Sequence, residues 1–65
     1  MWVVVTLAKG RACARGIEEL LKKEGFLVKI KPVYKNVGEE ENYYEVRALE
    51  SEAAEAREIL VQNGL

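Results

Sequence analysis

The stretch Trp2-Val3-Val4-Val5-Thr6-Leu7-Ala8 sets the tightest limit on what this chain can become. It is too short to cross a bilayer, and its β-branched run loses side-chain freedom in a helix, so it reads as a strand. Apolar side chains occupy both phases of the two-residue repeat, the pattern of a strand covered on both faces. One face can be covered by the chain's own helices. What covers the second is the question the rest of the sequence has to answer.

With 65 residues, the chain holds one domain and a small core. Ordering costs roughly 1.5 kcal/mol per residue, which a core of this size about balances, so such chains commonly draw on disulfides, a metal or association. Cys13 is the only cysteine, which excludes an internal disulfide, and the absence of histidine leaves carboxylates as the main metal ligands. No metal and no cofactor is expected, and self-association is the staple that remains. The start of the chain has no basic leader with an apolar run and no segment spans a membrane, so a reducing cytoplasm is the expected compartment. Residues 1–35 hold eight Lys/Arg against three Glu, and residues 36–65 hold two Arg against eight Glu. An interleaved fold of so short a chain mixes these halves.

After the first strand and Lys9-Gly10-Arg11, Cys13, Ala14, Ile17, Leu20 and Leu21 fall at helical spacing and predict an amphipathic helix from about Ala12 to Glu24. Glu18 with Lys22 and Glu19 with Lys23 support its solvated side. Gly25 is placed to stop it, and Gly16 within it either allows close approach to a sheet or is tolerated at a cost. Phe26 to Tyr34 alternates and predicts a second strand with Val28, Ile30 and Tyr34 inward and Lys29 and Lys31 outward. Pro32 has no amide to donate, which puts this strand at a sheet edge. A polar connection from Lys35 to Glu41 leads to a third strand, Tyr43 to Leu49, with Tyr44, Val46 and Ala48 in one phase. Ser51 is the expected N-cap of a second helix running to about Asn63, with Ala53, Ala56, Ile59 and Leu60 as its buried stripe and Gly64 at its end.

The predicted order is βαββα. A right-handed crossover makes strands one and two parallel, and the edge signal of Pro32 slots strand three between them in the order 1-3-2. This is an α+β split βαβ unit, a truncated ferredoxin-like fold with both helices on one face. With Val3, Val5 and Leu7 inward, Trp2, Val4, Thr6 and Ala8 fall on the open face. Leu27 and Leu49 then lie near Trp2, and Lys29, Lys31, Glu45 and Arg47 form a charged middle with cross-strand ion pairs. An apolar patch around a tryptophan marks a surface for a protein partner or a second copy, so Trp2, Val4, Leu27 and Leu49 form the candidate interface.

Lys9, Gly10, Arg11 and Arg15 surround the first helix start, where backbone N–H groups and the helix dipole favour anions. A phosphate, nucleotide or carboxylate ligand there is the alternative to the interface. Cys13 sits beside the apolar stripe without a histidine to activate it, so it reads as a packed or half-covered thiol and no catalytic residue is assigned. Lys29, Lys31, Lys35 and Tyr34 are weighed as a nucleic-acid surface, but an inward Tyr34, an exposed Glu45 and a net charge of -1 count against it. Glu39, Glu40 and Glu41 read as a solvated loop.

The strand entering Thr6-Leu7-Ala8, the helix with Ala14, Ile17, Leu20 and Leu21, the Glu24-Gly25-Phe26-Leu27-Val28 junction and Glu50-Ser51-Glu52-Ala53 leading to Ala56, Ile59 and Leu60 together resemble a known family. It is the family of small bacterial βαββα proteins described as prokaryotic signal-transducing proteins of unknown function. The resemblance implies the fold derived above and a regulatory role, and carries no chemistry across. This chain departs from it at Lys9-Gly10, where the family tends to have Pro-Asn, and at Cys13, where it has an acidic residue. A glutamate decarboxylase label borne by related chains does not fit, because 65 residues cannot house a pyridoxal-phosphate fold. The expectation is a non-enzymatic interaction or signalling module.

Overall fold

A strand that shares ladder hydrogen bonds with two others lies between them, and the third strand pairs with both the first and the second. The computed structural model describes residues 1–65. In chain order it has β1 (Trp2–Lys9), α1 (Arg11–Lys23), β2 (Val28–Pro32), β3 (Tyr43–Leu49), a 3-10 turn (Glu50–Glu52) and α2 (Ala53–Gln62). The sheet order is β1-β3-β2, with β3 antiparallel to both neighbours. β1 and β2 are therefore parallel, and the chain has the small α+β split βαβ architecture that its patterning predicts.

The core follows from the phases of these elements. Ala14, Ile17 and Leu21 of α1 and Ala56 and Leu60 of α2 join Ala8, Val28, Tyr44, Val46 and Ala48 in one buried cluster. Leu21 and Val46 are its largest fully enclosed side chains. The helix that supplies Leu21 ends as its glycine predicts. Gly25 takes φ 95, its N–H donates to the Lys22 carbonyl at 3.0 Å, and the Phe26 N–H donates to the Leu21 carbonyl at 3.0 Å. This pair of bonds satisfies carbonyls that would otherwise be left open at the helix end. Gly64 and Leu65 repeat the arrangement after α2, bonding Val61 and Leu60.

Pro32 also behaves as its chemistry requires. Val33 donates its N–H to the Tyr43 carbonyl at 2.9 Å, so by ladder alternation the Pro32 nitrogen faces the outer edge, where no ladder bond is lost. The sheet therefore ends cleanly on this side.

Several local expectations are corrected. β1 does not keep one alternation, because its register to β3 shifts between Val4 and Thr6. Val3, Thr6 and Ala8 pair with Ala48, Val46 and Tyr44 on the covered face, and Trp2, Val4, Leu7 and Lys9 pair with Leu49, Arg47, Glu45 and Tyr43 on the other. The extra residue, Val5, is a β-bulge, and it reverses the phase of everything after it. Leu7 is consequently 59% exposed and Ala8 3% exposed, opposite to a strict alternation. β2 stops at Pro32, and Tyr34 is exposed rather than inward. Ser51 lies inside the 3-10 turn and makes no capping bond, since α2 starts at Ala53. Nothing approaches the position of a Gly16 side chain within 4 Å, so that glycine is tolerated on the solvent side and serves no close packing.

Candidate functional site

Two sites were expected from the sequence, one on the open face and one at the start of α1. The open face carries one phase of each strand: Trp2, Val4, Leu7 and Lys9 of β1; Leu49, Arg47, Glu45 and Tyr43 of β3; and Lys29 and Lys31 of β2. Leu27 precedes β2 in the same phase and is exposed, as are Val4, Leu7 and Tyr43. Trp2 and Leu49 are half-buried. The structure thus brings Trp2, Val4 and Leu49 together through β1–β3 pairing, places Leu27 in phase with them beside β2, and adds Leu7. Strict alternation hides Leu7 from a sequence reading. Nothing in the composition of Val3-Val4-Val5 announces which residue will bulge.

The charges on this face do not pair across strands. Glu45 turns along its own strand to Arg47, accepting from Nη2 at 2.5 Å and from Nε at 3.0 Å. Lys31, its register partner, is left to solvent. Lys29 instead reaches over Trp2, its Nζ 4.5 Å from the ring centroid, and Lys9 lies 6.0 Å from the Tyr43 centroid. Such cation–π contacts stabilise by about 0.5–1 kcal/mol at exposed sites. They also explain why Trp2 is half-buried with no helix above it. Taken together, Lys9, Lys29, Lys31 and Arg47 outnumber Glu45, so the face is basic although the chain as a whole is not.

The helix start is built differently. Gly10 takes φ 88, a backbone conformation L side chains rarely adopt, and a Cβ there would lie 2.9 Å from the Glu40 Oε1 and 3.2 Å from the Glu40 carbonyl oxygen. The chain can turn into α1 at this point because glycine allows both. The Gly10 N–H donates to the Asn42 carbonyl at 2.8 Å, and the Arg11 N–H to the Glu39 carbonyl at 3.0 Å. The Ala12 N–H donates to the Glu40 Oε2 at 3.2 Å, and Arg11 Nη1 pairs with the Glu39 Oε1 at 3.1 Å. Arg11 thus has its counter-charge within the chain. The connection between β2 and β3 supplies a carboxylate to the N–H groups that the dipole makes receptive to anions. Lys9 is engaged with Tyr43, and Arg15 is exposed one turn further on.

That connection is held in place by Asn42, which sequence reading passes over. It is 3% exposed and continues the buried phase of Tyr44, Val46 and Ala48. Its Oδ1 accepts from the Tyr34 N–H at 3.2 Å and the Tyr43 N–H at 2.8 Å, and its Nδ2 donates to the Tyr34 carbonyl at 2.8 Å. The Tyr44 hydroxyl donates to the Glu39 carbonyl at 3.1 Å. These bonds satisfy a buried amide and fix the loop that delivers Glu39 and Glu40 to α1.

Cys13 is exposed, not packed. At the helical increment of about 100° per residue it lies roughly 70° from the centre of the Ala14–Ile17–Leu21 stripe, at its margin in the first turn. Glu39, Glu40 and Glu41 form no metal-binding cluster, and no group of three potential ligands occurs elsewhere. No helix is long and apolar enough to cross a membrane. There is no enclosed pocket. No family model, curated protein or solved structure matches the chain.

Proposed function

We propose that the chain is a non-enzymatic interaction module that docks on a protein partner, or on itself, through the open face of its sheet and the edge of β1. The observation that supports this reading is the exposure of Val4 and Leu7 side by side along an edge strand, next to a half-buried Trp2 whose ring carries the Lys29 ammonium. Apolar side chains in a row at an unpaired edge are what natural sheets avoid unless something binds there. A signalling role, as the family resemblance implies, suits a domain with a surface and no pocket. A reducing cytoplasm suits its lone exposed thiol.

The test is retention of partners by the immobilised full chain. Val4→Lys should lose what the wild type retains, and Glu19→Lys on the solvated side of α1 should keep it. Equal retention by all three would refute the assignment to this face.

A second reading, anion binding at Lys9, Gly10, Arg11 and Arg15, draws on the carboxylate of Glu40 at the Ala12 N–H. A free anion would have to displace that carboxylate. Titration with phosphate and nucleotides should leave the amide resonances of residues 8–15 in place, and saturable shifts there would favour the ligand over the interface.

A further inference from the structure

We infer that the occupant of the β1 edge is a second copy of this chain, paired about a two-fold axis with Trp2 opposite the partner's Lys9 and Val4 opposite the partner's Leu7. The inference rests on the docking reading above and gives it a partner and a register.

The backbone sets the register. Met1 accepts from the Glu50 N–H at 2.8 Å, so its carbonyl points toward β3, and by alternation Trp2 and Val4 turn their own N–H and C=O groups outward. Beyond the bulge, Thr6 and Ala8 face Val46 and Tyr44, which turns Leu7 and Lys9 outward. Arg57 donates from Nη2 to the Val4 carbonyl at 3.2 Å. A carbonyl oxygen has a second lone pair, so this contact leaves an acceptor free. The outward residues are thus Trp2, Val4, Leu7 and Lys9, and these four also carry their side chains on the open face. In an antiparallel two-fold pair, opposite residues have a constant index sum. One register alone pairs all four outward residues, Trp2 with Lys9 and Val4 with Leu7, and the bulge creates it. Each pair then sets a cation beside an indole or two apolar side chains together.

Charge separates this arrangement from the alternative way of using the open face. Two sheets stacked face to face lie about 10 Å apart, close to the Debye length of about 8 Å at physiological salt, and would oppose two basic faces. Edge-to-edge pairing places the two β2 strands five strand spacings apart, about 24 Å, so that Lys29 and Lys31 of the two copies are screened from each other.

The helical layer agrees independently. Arg57 reaches the β1 edge, and Ala54 and Val61, three before and four after it, lie along the same flank of α2. Val61 is 72% exposed; Glu55 points away from this flank by helical spacing, and Glu58, four after Ala54 and three before Val61, borders it on the solvent side. Two copies of the flank, meeting across the axis, put alanine and valine together, with Glu58 at their margin and Arg57 of each copy on the same flank to offset its charge.

Sedimentation equilibrium of the wild type from micromolar to millimolar concentration should give a reversible monomer–dimer transition. Leu7→Lys, at an exposed position, should move its midpoint at least about tenfold higher with an unchanged amide spectrum. For the register, Cys13→Ser chains carrying either Val4→Cys or Leu7→Cys are oxidised, each variant alone and the two as a mixture. The mixture should form a disulfide joining position 4 of one copy to position 7 of the other, whereas each variant alone should not cross-link. Like positions are offset by three residues, about 10 Å, beyond the Cα separation of up to about 6.8 Å that a disulfide spans. Cross-linking of either variant alone to the extent of the mixture overturns the register. A wild type that stays monomeric at millimolar concentration overturns the second copy as occupant, and the retention experiment on Val4→Lys then decides the docking reading by itself.

Discussion

The two phases of β3 differ in what they ask of the rest of the chain. Asn42, Tyr44, Val46 and Ala48 are buried, while Tyr43 is exposed and Glu45, Arg47 and Leu49 are half-buried. The backbone is the same in both cases. What differs is that two helices contribute Ala14, Ile17, Leu21, Ala56 and Leu60 to one phase, and only lysine stems and a Glu45–Arg47 pair lie over the other. The covered phase holds the fold, and the open phase is left with apolar area that no segment of the chain removes from water. A domain of this size can use one face for stability and keep the other for contact.

Substitutions on the two sides should separate these roles. Leu21→Ala, which empties a fully enclosed position against the covered phase, should lower stability by about 2–5 kcal/mol in urea unfolding. A loss under about 1 kcal/mol would mean that the core closes around the gap and that the covered phase is less tightly built than its burial implies. Asn42→Ala should cost about 1–3 kcal/mol, since it leaves the Tyr34 and Tyr43 amides without their acceptor. The same variant should loosen residues 34–42, read as faster amide exchange at Arg11 and Ala12. Gly16→Ala, on the solvent side of α1 with nothing near it, should raise stability by up to about 1 kcal/mol. Leu7→Ser should leave the unfolding free energy of the monomer within about 0.5 kcal/mol and weaken association. A large destabilisation by Leu7→Ser would erase the contrast, because it would show the open phase holding the fold as well.

The ends of the two faces repeat the contrast on a smaller scale. Near Gly10 the chain meets its own needs: the N–H groups of residues 10–12 take acceptors from Asn42, Glu39 and Glu40. At the Trp2 end a tryptophan is covered by one lysine from the far strand. The anion site expected from Lys9, Gly10, Arg11 and Arg15 and the interface expected around Trp2 looked alike in sequence as unmatched surfaces. In the fold, the loop between β2 and β3 supplies the first with a carboxylate, and nothing in the chain does the same for the second.

Much of the architecture was determined locally. Gly25 and Gly64 stop their helices, Pro32 assigns β2 to an edge, and the alternation of Tyr44, Val46 and Ala48 orients the central strand, each through a backbone rule acting within a few residues. The element order and the sheet order follow from these. The open face was legible to the same extent, as a surplus of apolar residues in the first strand. Only the tertiary structure decided which of those residues is exposed. A single extra residue at Val5 flips the strand from there on, exchanging Leu7 for Ala8, and a bulge is settled by pairing with β3 rather than by the valines that form it. Only the tertiary structure, likewise, brought Glu40 to Ala12 and Asn42 under Tyr34, because hydrogen bonds between residues 8 to 28 positions apart leave no local pattern. Period and turn chemistry act at short range and can be read from the chain. Register, and the partners of polar groups, depend on which strand arrives alongside.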